Sequence, residues 1–175
     1  MKKLLIAVDL QRDFIDGALG TKEACAIVEA AARKIRAFEG RVFVTLDTHE
    51  ENYRETAEGK KLPVPHCLKG TPGHALHPAI AEALQGKDVV VLEKPTFGSV
   101  KLVEAVRAFA GEEAFEAEFI GLCTDICVVS NALLLKAYFP EAELSVDAAC
   151  CAGVTPALHE AALQTMQSCQ ITVKR

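Results

Sequence analysis

Two cysteines stand four residues apart, Cys123 and Cys127, in the segment Gly121-Leu122-Cys123-Thr124-Asp125-Ile126-Cys127-Val128. The apolar residues up to Leu122 read as a strand buried on both faces. Those after the first cysteine read as a helix capped by Thr124 or Asp125, with Ile126, Val129, Leu133 and Tyr138 on its apolar face. Cys127 then falls in the first helical turn, where unpaired N–H groups and the helix dipole favour a thiolate and lower a cysteine pKa by about one unit or more. A thiol placed there can act as a nucleophile. Cys123, at the strand's carboxyl end, faces the same crevice, and the spacing does not choose between the two. Free cysteine also packs as a small apolar side chain, so either has an ordinary use as well.

A reactive thiol needs a proton acceptor and a counter-charge. Asp9 closes the first apolar run and opens Asp9-Leu10-Gln11-Arg12-Asp13-Phe14, and Lys94 closes another in Glu93-Lys94-Pro95-Thr96-Phe97. A carboxylate can take the thiol proton and return it to a leaving group, while an ammonium stabilises the thiolate; together the three types form a cysteine-based acyl-transfer set. A separate group, Asp47, His49 and His66 with Glu55 and Glu58 between them, offers oxygen and nitrogen ligands to a divalent metal. Asp47 and His49 alternate along an extended segment and can face one side, and Pro63 and Pro65 present His66 rigidly. Gln11 suits loop backbone or a metal-bound water. Asp13 and Asp125 suit turn and cap hydrogen bonds, and His74, His77 and His159 suit surface or capping positions.

Such residues meet only if the chain brings its strand ends together. Apolar strands are expected at Lys3–Val8, Val42–Leu46, Val89–Leu92, Phe115–Leu122, Leu144–Val146 and Ile171–Val173, and helices at Lys22–Phe38, His74–Leu84, Val100–Phe109, Asp125–Tyr138 and Pro156–Ser168. Strands this apolar are covered on both faces. That predicts an α/β three-layer α-β-α sandwich on a mostly parallel, about six-stranded sheet with right-handed crossovers. In such a sheet the ligand crevice lies beyond the carboxyl ends of the strands, where Asp9, Asp47, Lys94 and Cys123 fall.

At 175 residues, half of them hydrophobic, the chain is expected to form one domain over residues 1–175. The net charge of −5, with no basic stripe, argues against nucleic acid and for a small-molecule ligand. The apolar run after Met1-Lys2-Lys3 is too short for a signal peptide or a membrane span, so a cytoplasmic protein is expected. Seven cysteines with no paired C-x-x-C pattern imply reduced thiols, and Cys25, Cys67, Cys150, Cys151 and Cys169 are read as structural or incidental. A homo-oligomer is left open.

In their order the motifs resemble those of the isochorismatase-like cysteine hydrolases, and within them the nicotinamidases. The resemblance covers nearly the whole chain. It rests on Asp9-x-Gln11-x-Asp13-Phe14, Asp47-Thr48-His49, the run from Pro65-His66-Cys67 to Thr71-Pro72-Gly73, Lys94-Pro95-Thr96-Phe97, Gly121 to Val128, Asp147-Ala148, Thr155-Pro156 and His159. It implies Cys127 as nucleophile, Asp9 as general base and acid, and Lys94 as third member. It further implies a cis Leu122–Cys123 peptide and an oxyanion hole built from the Cys123 and Cys127 N–H groups. Phe14 and Phe97 would flank the substrate ring. One divalent ion, zinc, iron or manganese, would be held by Asp47, His49, His66 and Glu58, with Glu55 as the alternative. The implied reaction, a step of NAD salvage, converts nicotinamide to nicotinate and ammonia through a thioester. Two other functions fit the same residues: hydrolysis of a carbamoyl, ureido or other small amide, and redox sensing by a reversible Cys123–Cys127 disulfide.

Overall fold

A computed structural model describes residues 1–175. Strands β1 (Lys2–Val8), β2 (Arg41–Asp47), β3 (Val89–Lys94), β4 (Phe115–Leu122), β5 (Glu143–Ala152) and β6 (Thr172–Lys174) form one sheet in the order β3-β2-β1-β4-β5-β6. Every neighbouring pair is parallel. The helices are α1 (Arg12–Ile15), α2 (Lys22–Ala37), α3 (Ala57–Lys61), α4 (Pro78–Ala83), α5 (Val100–Ala110), α6 (Val129–Tyr138) and α7 (Pro156–Ser168).

The period-2 alternation of β1 sorts the core into two layers. Leu4, Ile6 and Val8 join Leu102, Val106, Leu135 and Leu163 on the side of α5, α6 and α7. Leu5 and Ala7 join Ile27, Ala31, Ile35 and Ile80 on the side of α2 and α4. Each fully buried aliphatic side chain contributes about 1.5–3 kcal/mol, which is why so apolar a strand belongs at the centre of a parallel sheet. The chain winds outward from β1 to β3 and then returns to β4. The strand order therefore reverses between β1 and β4, and a crevice opens at their carboxyl ends. Asp9 follows β1 and Cys123 follows β4 at that point.

Several elements differ from expectation for local reasons. The strand expected at Leu144–Val146 runs on to Ala152, taking in Cys150 and Cys151, because the register against β4 shifts between Phe119 and Gly121 and pairing resumes at Gly121 with Cys151. The helix expected from His74 splits in two. A single 3₁₀ turn spans Pro72–His74, Ala75 is extended, and α4 starts at Pro78 with His77 Nδ1 accepting from the Ala79 N–H at 3.3 Å. Pro78 at the first helical position cannot continue a preceding turn, but it can begin a new one. The helix expected over Asp125–Tyr138 begins instead with a wide turn, Thr124–Val128, in which the Val128 N–H reaches back five residues to the Cys123 carbonyl at 3.0 Å. The inserted residue rotates the following face, so Val128, Ala132 and Leu135 fill the core while Tyr138 is exposed.

Candidate active site

Asp9 leaves β1 with φ of 48°, a left-handed conformation that turns its carboxylate back over the sheet. Its Oδ1 accepts from the Thr45 hydroxyl at 2.6 Å. Its Oδ2 lies 2.6 Å from Lys94 Nζ as an ion pair whose angles are not those of a hydrogen bond, and it has no hydrogen-bond donor of its own. Lys94 ends β3, where Asp47 is its register partner on β2. Its ammonium donates to the Thr96 carbonyl at 3.0 Å and stands 3.4 Å from both Asp47 Oδ1 and Cys127 Sγ. One cation thus touches two carboxylates and the thiol, and all are buried.

The electrostatics follow from that burial. Desolvation raises the Asp9 pKa, opposed chiefly by Lys94, so its carboxylate is a stronger base than an exposed one. Burial works against the Lys94 charge, but Asp9, Cys127 and Asp47 hold its pKa above the usual lysine value. Burial and then the Asp9 charge push the Cys127 thiol well above the ordinary cysteine range. This runs against the expectation of a depressed pKa from the helix start: burial and the Asp9 charge raise it, with Lys94 opposing. The resting sulfur is a thiol beside a basic carboxylate. Cys123, pushed up to about 12 by burial, is no readier to ionise.

The turn carrying Cys127 is held without the cap the sequence suggested. Cys123 occupies the N-cap position and makes no side-chain cap bond, and Asp125 Oδ1 instead accepts from the Val154 N–H at 2.9 Å. The Leu122–Cys123 peptide is cis. The Cys123 carbonyl accepts from the Ile126 and Val128 N–H groups, whereas the Cys123 N–H donates to no protein acceptor. Asn131, four residues after Cys127, donates to the Cys127 carbonyl at 2.8 Å and to the Phe97 carbonyl at 3.0 Å, and accepts from the Ser99 N–H at 2.9 Å. A buried amide one turn past a cysteine is legible from spacing, whereas Thr45, which faces Asp9 from the neighbouring strand, is not.

Beside the thiol, Asp47, His49, Glu58 and His66 each turn one ligand atom inward, all within 4.8 Å of one another. Asp47 Oδ2 is 2.9 Å from His49 Nε2 and 3.4 Å from His66 Nε2, and Glu58 Oε1 is 3.5 Å from His66 Nε2. Glu55 lies outside the group. His66 Nδ1 is 2.9 Å from the Val64 carbonyl, a contact that fixes the tautomer with Nε2 free to ligate. Burial disfavours charge on His66, yet the carboxylates of Asp47 and Glu58 raise its pKa to about 10. Two imidazoles and two carboxylates crowded this closely, with three of the four buried, fit a divalent cation.

Gln11 and Asp13 turn out to support this group. Gln11 accepts from the Asp47 N–H at 2.8 Å and donates to the Asp47 and His74 carbonyls at 2.9 and 2.8 Å, clamping that ligand's backbone from both sides. Asp13 accepts from the Cys67 N–H at 2.7 Å, next to His66. Of the histidines read as surface or capping, His77 caps α4. His74 Nε2 meets the Thr48 hydroxyl at 2.9 Å, and His159 Nδ1 meets the Thr124 hydroxyl at 2.7 Å beside the turn that carries Cys127.

Cys127, Asp47, Glu58 and His66 open on one cavity of about 590 Å³, walled by Phe14, Leu19, Leu62, Phe97, Ile126 and Val154. Phe14 is buried, with its ring edge-on to His66 at 5.4 Å, while Phe97 is 42% exposed at the mouth. A second concavity of about 600 Å³ lies at the opposite end of the strands among Lys3, Glu116, Glu143 and Lys174, and no cysteine or histidine lines it. No helix is long and apolar enough to cross a membrane.

This arrangement has known counterparts. The uncharacterised isochorismatase family protein PncA of Bacillus subtilis (strain 168) is 28% identical over 143 residues, spanning 76% of this chain and 78% of that protein. The crystal structure of the nicotinamidase/pyrazinamidase PncA from Bacillus subtilis superposes with a TM-score of 0.87 at 28% identity, covering both chains in full. The N-carbamoylsarcosine amidase from Thermoplasma acidophilum superposes at 0.77 with 26% identity, over 100% of this chain and 96% of that one. Residues 3–174 match the Isochorismatase domain, and the chain belongs to that family.

Proposed function

We propose that the protein is a cysteine-dependent amide hydrolase acting on nicotinamide, releasing nicotinate and ammonia. The observation that carries this reading is the meeting of Lys94 with Asp9 at 2.6 Å and with Cys127 at 3.4 Å, beneath a cavity lined by Cys127 together with Asp47, Glu58 and His66. Asp9 Oδ2, with no donor of its own, takes the Cys127 proton. Lys94 stabilises the thiolate as it forms, and the sulfur attacks the carboxamide carbon. The Cys123 N–H, free of any protein acceptor, and the Cys127 N–H receive the developing oxyanion. Asp9 then protonates the departing ammonia, leaving a thioester on Cys127, and activates the water that cleaves it.

Asp47, His49, Glu58 and His66 would hold one divalent ion, of zinc, iron or manganese type, supplying a Lewis acid to a ring nitrogen or a water in the cavity. Phe14 and Phe97 give the ring its apolar walls. The similarity to solved nicotinamidase and carbamoyl amidase structures supports amide hydrolysis and keeps a carbamoyl or ureido substrate as the second reading. A thiol-sensor role fits less well, because burial raises the pKa of both Cys123 and Cys127 and a redox-active pair needs thiolate character. The test is ammonia release from nicotinamide, pyrazinamide and carbamoyl amides. Release from nicotinamide that Cys127→Ala abolishes is expected, and full activity in that variant would refute the assignment.

A further inference from the structure

The nucleophile turn is tied from outside the cavity by the start of α7, through a histidine that the proposed chemistry leaves unused. Thr124, first residue of the turn, is fully buried, and its hydroxyl finds one partner, His159 Nδ1, at 2.7 Å. One residue on, Asp125 Oδ1 accepts from the Val154 N–H at 2.9 Å. Gly153 packs against both elements, and a Cβ there would meet Asp125 Oδ1 at 2.7 Å and the His159 backbone nitrogen at 2.8 Å. The missing side chain is what lets the first turn of α7 close onto Thr124-Asp125. Thr155 caps that turn, its hydroxyl accepting from the Leu158 N–H, so the histidine stands on a rigid base.

We propose that His159 is a positioning residue for the reaction at Cys127: neutral, it accepts the Thr124 hydroxyl hydrogen and so holds the turn that presents the Cys127 sulfur and the Cys123 N–H. A neutral imidazole offers one ring nitrogen as acceptor, whereas an imidazolium offers two donors and none. Protonation therefore reverses the bond: the imidazolium Nδ1–H donates to the Thr124 oxygen, and the buried hydroxyl hydrogen loses its one acceptor, which costs the turn its native arrangement. The charged groups facing His159 are Glu160 beside it on α7, Arg175 beyond β6 and Asp125 on the turn, with Glu160 and Arg175 paired to each other at 2.8 Å. Burial, the largest effect, lowers the His159 pKa from 6.5, which keeps the neutral, accepting form at neutral pH.

This role rests on the proposed amide hydrolysis, so its test has an arm that needs no turnover. Wild type, His159→Asn, His159→Ala and Thr124→Ser are compared for kcat and KM, and for the rate at which iodoacetamide alkylates Cys127, followed by peptide mass spectrometry. His159→Ala should lower kcat and the alkylation rate roughly tenfold, the loss that follows from about 1.4 kcal/mol of mispositioning, with KM unchanged within about twofold. His159→Asn, which keeps an acceptor at every pH, and Thr124→Ser, which keeps the hydroxyl, should restore most of both. The ratio of wild-type to His159→Asn kcat cancels any titration shared through Asp9; it should be flat at neutral pH and fall only on acidification through the lowered His159 pKa. A ratio that rises on acidification, unchanged kcat and alkylation in His159→Ala, or a loss carried by KM would overturn the role. If the wild type hydrolyses no amide, the proposed function fails, and the alkylation rates still decide whether His159 positions the turn.

Discussion

Replacing Lys94 with Met removes the one positive charge between Asp9 and Asp47 while roughly keeping side-chain volume. At an effective dielectric of about 20, the ammonium attracts Asp9 across 2.6 Å by about 6 kcal/mol and Asp47 across 3.4 Å by about 5 kcal/mol, before desolvation is counted. Most of that offsets the cost of burying the charges, so the net loss should be about 3–5 kcal/mol, the usual result of leaving a buried ion without its partner. Asp9 can escape part of this cost by taking a proton. Its folded-state pKa already lies above 3.8 because burial outweighs Lys94, and without Lys94 it rises further. A carboxyl with a raised folded-state pKa binds a proton on folding; its stabilising neutral form is fully present below the unfolded pKa and lost as pH rises through the folded value. The stability gap between wild type and Lys94→Met should therefore widen from pH 5 to pH 8. At about 2–4 °C per kcal/mol, a gap of about 3 kcal/mol at pH 8 is 6–12 °C in Tm. A protonated Asp9 is no base, so kcat should also fall by roughly 10²–10⁴. Adding Asp9→Asn should recover much of the Tm at pH 8 and none of the kcat. Thermal melts at four pH values with an ammonia assay read both outcomes, and a gap that narrows with pH, or kcat within tenfold of wild type, would show that Lys94 does not hold these charges.

Three further perturbations test other parts of the site. Gln11→Leu strips both backbone groups of Asp47 and should weaken divalent-metal affinity about 10–100-fold in a chelator competition; unchanged affinity would mean Asp47 needs no clamp. Gly121→Ala would place a Cβ 2.0 Å from the Val8 carbonyl oxygen at φ of 121°, and should cost about 3 kcal/mol or more in urea unfolding; a neutral result would contradict the tight β1–β4 approach beneath the site. Phe97→Ala, in the cavity wall, should raise KM for nicotinamide several-fold while leaving kcat within about twofold, since in the proposed reading it flanks the ring and not the reacting atoms. Equal losses in kcat alone would move Phe97 from binding to catalysis.

The strand-end residues were legible because a parallel sheet converts order along the chain into proximity: Asp9, Asp47, Lys94 and Cys123 each close an apolar run, and β1, β2, β3 and β4 are contiguous in the sheet. Glu58 was readable only as one of two glutamates, since three-dimensional reach and not spacing excludes Glu55. The Cys127 pKa was misjudged because a helix start is visible in sequence and desolvation is not. The partners of Thr45 and His159 lie across the core and have no signature in spacing, whereas Asn131, one turn past Cys127, is legible. The wide turn at Thr124–Val128 has no signature in residue type, and it decided which side of α6 is buried.

The proposed hydrolysis requires a covalent bond between Cys127 and the acyl group. Rapid acid quench of the enzyme during turnover of nicotinamide, followed by intact-mass and peptide mass spectrometry, should show a nicotinoyl adduct on Cys127 that forms before free nicotinate and is absent from Cys127→Ala. Turnover with no adduct on any cysteine, or an adduct on Cys123 instead, would contradict it.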